Sequence, residues 1–178
     1  MAFAPDVDES LEAAVFLANS AQDPDSLTSL AELRAYYDRF HYTGARPTAA
    51  DVEQVRAIRP TLRGLLLAPR DTAAELVNRI LAEANATPRL VRHGTVDWHI
   101  HATDDFAPLR HRILVETAMA MVDVIRADEM ERLSTCAWPD CDGIVLDLSR
   151  NRSRKYCSTA CTNRAAAAAY RARQATAE

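Results

Sequence analysis

With 178 residues, a net charge of −4 and 48% hydrophobic content, the chain is neither disordered nor too short to bury a core. Aromatic residues make up only 6% and there are four glycines, which argues against a turn-rich all-β fold and for helices packed through small aliphatic side chains. The charge is uneven: residues 150–178 carry +6 and residues 1–149 carry −10, which suggests a polyanion contact at the basic end or a basic tail folded back on its own acidic body.

Asp6, Asp8 and Glu9 stand where a signal peptide would need basic and then apolar residues, and no apolar run reaches the roughly 18 residues of a membrane span. The expectation is a cytoplasmic protein without membrane contact. Residues 10–20, SLEAAVFLANS, are apolar but too short to decide between helix and strand. After the Asp23-Pro24-Asp25 turn, Ser26 is the expected N-cap of a helix bearing Leu27, Leu30, Leu33 and Tyr37, closed by Gly44 and Pro47. A second helix starts near Thr48, with Val52, Val55, Ile58, Leu62 and Leu65 on one face; Pro60, lacking an N–H, should kink or split it. A third runs from Asp71 as N-cap and stops before Pro88.

The period then changes. Two short runs flank His93-Gly94-Thr95, and in the second Val96, Trp98 and Ile100 alternate with Asp97, His99 and His101. That pattern predicts a half-buried β-hairpin with its polar face exposed. The longest helix is expected over 106–133, capped by Asp104 or Asp105, with an apolar stripe through Leu109, Ile113, Ala120 and Val124, widened by Leu114, Met121 and Ile125.

The four cysteines, Cys136, Cys141, Cys157 and Cys161, fall as C-x4-C and C-x3-C separated by fifteen residues. Two close pairs across a hairpin-sized gap have the spacing of a four-thiolate zinc site, with disulfides or an iron–sulfur cluster as the alternatives. A reducing compartment favours ligands over disulfides. Four thiolates leave no open coordination position, so one structural Zn2+ is expected. Ile144–Leu148 reads as a strand, 149–152 as a turn and 154–156 as the return. Ser158 or Thr159 then caps a final helix with Cys161 in its first turn. Knuckle, hairpin and a ligand on a helix N-terminus together resemble a treble-clef finger.

From Cys136 to Arg173 the chain resembles the CGNR zinc-finger family. The likeness rests on both cysteine pairs, the strand before Asp147, Ser149-Arg150-Asn151, the basic pair 154–155, Asn163-Arg164 and Tyr170-Arg171-x-Arg173. Members carry an N-terminal ABATE domain, which the upstream order and Phe16-Leu17-Ala18-Asn19-Ser20 also resemble, and are described as candidate stress-induced transcription regulators. Cys161-Thr162-Asn163-Arg164 departs from the signature Cys-Gly-Asn-Arg. Thr162 is compatible with a helical first turn, but would weaken a contact that needs close backbone approach.

These readings give a mainly α (α+β) protein. A helical domain with a small β-hairpin spans residues 8–133, and a treble-clef-like four-cysteine zinc finger spans residues 134–178. The expected function is a zinc-dependent, DNA-binding transcription regulator whose N-terminal domain senses a small ligand or docks a partner. Arg150, Arg152, Arg154, Lys155, Arg164, Arg171 and Arg173 are the candidate phosphate contacts. The alternative is a zinc-organised module for protein or RNA. Individual residues also have plainer roles: Arg164 as a donor to knuckle carbonyls, Asn151 as a turn residue, Tyr170 packed on the hairpin. A homodimer would compensate for the modest specificity of a lone finger. His99 and His101, with His93 or His111, could hold a metal, but an exposed polar strand face is the expectation. No phosphate loop, G-x-S-x-G or H-E-x-x-H occurs, and no enzyme is expected.

Overall fold

The computed structural model describes residues 2–93 and 96–175, with backbone alone at His93, Val96 and Asp97. Two helices distant in sequence form its centre, α1 (Pro5–Asn19) and α6 (Leu109–Arg126). Leu11, Ala14 and Leu17 on α1 and Ile113, Ala118 and Met121 on α6 are completely buried, the alanines leaving room for close approach. The run at 10–20 is therefore helical. Around this pair lie α2 (Leu30–Arg39), α3 (Ala49–Ala57), α4 (Arg59–Leu66) and α5 (Arg70–Glu83).

The helix boundaries follow local chemistry. The cap of α2 is Ser29 and not Ser26: Ser29 and Glu32 form a reciprocal capping box, with the Glu32 N–H donating to Ser29 Oγ at 3.3 Å. Ser26 has no acid three residues on, so S-x-x-E was the better signal. Thr48 and Asp51 cap α3 in the same way. Pro60 splits the second predicted helix, ending α3 and occupying the first turn of α4. Asp71 falls inside the first turn of α5, after Pro69, where its charge still suits the helix dipole. The sixth helix is shorter than predicted. It stops at Arg126, Asp128 takes a left-handed φ of 57°, and the Arg70 guanidinium donates to the Ile125 carbonyl at 2.8 Å.

Strands β1 (Arg89–His93) and β2 (Val96–His101) pair antiparallel, Leu90 opposite Ile100 and Val91 opposite His99. The expected burial is reversed. Leu90, Trp98 and Ile100 are exposed at 66%, 63% and 46%, whereas His99 and His101 turn towards the helices. The body offers polar partners there: His101 Nδ1 meets Asp105 Oδ1 at 3.1 Å. The turn at His93-Gly94-Thr95 and the His93 and Asp97 side chains lie outside the described residues.

Past α6, a 3-10 turn (Met130–Arg132) leads into β3 (Leu133–Thr135), which pairs antiparallel with β4 (Ile144–Leu146). The finger's hairpin is thus β3–β4, wrapped around the first cysteine pair. Residues 154–156 form no strand; the Asp147 carboxylate accepts from the Arg154 N–H at 2.6 Å and the Lys155 carbonyl from the Ala137 N–H at 2.9 Å. The last helix is α7 (Thr159–Ala175). Ile144 and Leu146 belong to the same apolar core as α1 and α6. The free flank of β4 is occupied by one side chain: Asn19 Nδ2 donates to the Ile144 carbonyl at 2.8 Å, and the Ile144 N–H donates back to Asn19 Oδ1 at 2.7 Å. Replacing Asn19 by Ala would strand both backbone groups in a buried position. Denaturant unfolding of the zinc-loaded Asn19→Ala variant should show a loss of about 2–4 kcal/mol.

Candidate functional site

The sulfurs of Cys136, Cys141, Cys157 and Cys161 all lie within 4.8 Å of one another. Three separations are 3.6 Å (Cys141–Cys157), 3.7 Å (Cys141–Cys161) and 3.9 Å (Cys157–Cys161). A tetrahedron with Zn–S bonds of about 2.3 Å has sulfur–sulfur edges of about 3.8 Å, so the cluster has the dimensions of a zinc tetrathiolate. The thiols are free, far beyond disulfide bonding distance. One structural zinc fits, and it supplies a cross-link between the knuckle and α7 without an open position for chemistry. Among the described residues this is the one cluster of His, Cys, Asp or Glu placed to hold a metal ion. The strand histidines instead bond to each other, Nε2 to Nε2 at 3.0 Å.

Each ligand is positioned by local structure. Ser158 caps α7, its hydroxyl accepting from the Cys161 N–H at 3.2 Å, and this fixes Cys161 in the first turn. Asp140 takes the left-handed conformation, with φ 64°, that closes the C-A-W-P-D-C knuckle. Gly143 is required by space, since an added Cβ would lie 2.7 Å from Cys157 Sγ. Burial raises the Cys141 thiol pKa, but hydrogen bonds involving Gly143, Gln22, Cys157 and Cys161 bring it down to about 7. For Cys157 burial dominates and, with its thiol neighbours, pushes the value up to about 12.

Several supporting groups were invisible in the sequence. Gln22, from the loop after α1, reaches Cys141 Sγ at 3.6 Å and Asp142 Oδ1 at 3.3 Å, so the helical body contributes directly to the surroundings of the metal site. Buried Arg132 donates to the carbonyls of Asp147 and Ser149 at 2.9 and 3.1 Å and pairs with Glu129 at 2.8 Å. Burial pushes the Asp147 carboxyl up, but bonds from Ser149 and the Arg154 N–H hold it below its ordinary range.

All seven basic candidates, Arg150, Arg152, Arg154, Lys155, Arg164, Arg171 and Arg173, are exposed, and two of them also brace the finger. Arg152 is engaged with acids, pairing with Glu129 at 2.7 Å and with Glu131. Arg154 donates to the carbonyls of Leu146, Tyr156 and Cys157 at 3.4, 3.4 and 3.5 Å, the role anticipated for Arg164. Asn151 lies in an exposed turn. Tyr170 is 57% exposed and not packed on a hairpin. Thr162, in the signature glycine position, donates its hydroxyl to the Ser158 carbonyl at 3.1 Å within an intact first turn.

A second feature lies in the body. Between the start of α1, the loop after α2, strand β2 and α6 there is a cavity of about 250 Å3 lined by groups including Glu9, Tyr42, His99, His101 and Glu116. Glu116 is half-buried and lines this cavity. Burial pushes its pKa up to about 7; Arg112 opposes that shift, and Asp105 and Glu9 add to it.

Fold and site together define a helical protein with a treble-clef-like, four-cysteine finger. Residues 11–128 match the ABATE family, described as "Putative stress-induced transcription regulator", and residues 132–174 match the CGNR zinc finger. The chain belongs to the ABATE family and carries a CGNR zinc finger. No curated protein matches it. Neither family description is that of an enzyme.

The Glu116 environment has a consequence for stability. A carboxyl whose pKa is raised on folding holds its proton more tightly in the folded state. Stability therefore falls as pH rises from the ordinary value of 4.5 to about 7. Glu116→Gln removes this penalty. Relative to the parent, the variant should be unchanged below pH 4.5 and more stable above pH 7, by up to about 3 kcal/mol. Thermal unfolding of both proteins across this pH range checks the expectation.

Proposed function

We propose that the protein is a zinc-dependent DNA-binding transcription regulator, with α7 as the DNA-contacting element and the helical body as the part that receives a signal. The observation that carries this is the state of α7: its seventeen residues bury only Cys161. A helix exposed along nearly its whole length, rich in alanine and arginine, has little reason to be ordered by its own fold and every feature needed to approach a phosphate backbone. A hollow of about 460 Å3 at its N-terminus is lined by Ser153, Arg154, Lys155, Ser158, Thr159 and Thr162. Lys155 and the Ser153 and Thr159 hydroxyls line it at the positive end of the helix dipole, which suits a phosphate. Arg150, Lys155, Arg164, Arg171 and Arg173 are the contacts this reading assigns. Arg152 and Arg154 act first in holding the finger together. The site of action is the cytoplasm.

The exposed Tyr170 ring beside Arg171 favours a second reading, a single-stranded RNA or other partner engaged by stacking. Fluorescence anisotropy with duplex DNA and single-stranded RNA in rising salt separates the two. The DNA reading expects tighter duplex binding, lost on zinc chelation, with log Kd rising linearly with log salt. Lys155→Ala and Arg171→Ala should each reduce the slope by about 1. Absence of duplex binding at low salt would refute it.

A further inference from the structure

The cavity beside Glu116 has a built interior that the finger does not use. Glu116 is half-buried, lines the cavity and accepts no hydrogen bond among the described residues. An ionised carboxylate in such a position is costly unless a cation or donors meet it. Asp6, Asp123 and Glu9, the last paired with His41, also line the space, and none of the described lysines or arginines does so. The nearby Arg112 favours the ionised carboxylate by its charge but does not hydrogen-bond to it; it donates to the Thr43 carbonyl, with its guanidinium 5.9 Å from the Tyr42 ring centroid.

The histidines do not turn this into an anion site. His101 Nδ1 lies 3.1 Å from Asp105 Oδ1 and its Nε2 lies 3.0 Å from His99 Nε2. Two ring nitrogens at that distance need one donor and one acceptor, so the two rings cannot both carry a full positive charge in this arrangement. The described acids and histidines are not placed to hold a metal ion. A third histidine, His41, lies at the wall with its Nδ1 2.7 Å from Glu9 Oε1, and Val7, Ala13, Phe40 and Met119 supply apolar surface.

We propose that this cavity binds a small organic cation: a protonated amine on a compact apolar group, with the ammonium against Glu116 and the apolar part against Phe40 and Met119. The volume of about 250 Å3 equals that of about eight water molecules, which limits the ligand to a similar number of non-hydrogen atoms. The proposal deepens, and rests on, the reading of the body as the signal-receiving part. It is independent of nucleic-acid binding.

The test uses the full zinc-loaded chain at pH 8 without nucleic acid. Benzylammonium, benzyl alcohol and benzoate, three probes of nearly equal size, are titrated by calorimetry at millimolar concentration. Benzylammonium should bind with one-to-one stoichiometry and about tenfold or more tightly than the other two. Glu116→Gln should weaken it by a similar factor while leaving benzyl alcohol unaffected. Equal or tighter binding of benzoate or benzyl alcohol, undiminished binding to Glu116→Gln, or no saturable binding of benzylammonium would each overturn the proposal. Loss of DNA binding in a separate assay would refute the regulator reading without touching this one.

Discussion

The backbone of Ile144 is held from two sides, and most of the molecule is arranged around that fact. Through β4 it pairs with β3 and continues from the cysteine knuckle at Gly143. On its other flank it exchanges two hydrogen bonds with the Asn19 side chain at the end of α1. A lone strand pair needs such a partner, because a two-stranded sheet is marginal in water and an unpaired buried N–H or carbonyl is costly. The finger has only a small core of its own, Cys136, Val145 and Cys161 with Trp138 and Tyr156 alongside. Zinc binding contributes folding free energy to that core, and Ile144 and Leu146 pass the constraint into the main core.

The four zinc ligands were legible from sequence because thiolate chemistry and short spacing are both local properties. So were the Pro60 break and the Thr48 start, each decided within one turn of helix. The Asn19 clasp was not, because its partner is 125 residues away. Asn19 stood within the run quoted for its family likeness, but an asparagine at a helix end ordinarily reads as a stop signal. The inverted hairpin failed for a different reason. Alternation identifies two faces, and the rule that the apolar one turns inward assumes an apolar interior. Here Asp105, Tyr42 and Glu116 made the interior side polar, so His99 and His101 went in and Trp98 stayed out. The early end of α6 was obscured by an apolar period that continues past Asp128, a residue that tolerates the left-handed conformation found there.

Helix α6 links the two charged regions of the molecule. Glu116 lies along it at the cavity, and its end leads through Glu129 to Arg132, which holds the Asp147–Ser149 segment of the finger. Arg152 is drawn to the same Glu129. The cavity and the Asp147–Ser149 segment of the finger are therefore joined through α6 and the Glu129–Arg132 ion pair.

Ile144 and Leu146 lie in the core of α1 and α6, so metal centre and helical body should open as one cooperative unit, which native-state hydrogen exchange of the zinc-loaded and chelator-stripped chain measures. Sharing of the core requires that zinc removal lower protection in β4 and also in α1 and α6, at Leu11, Leu17 and Ile113 among others. Loss confined to residues 133–175, with α1 and α6 as protected as before, would contradict it.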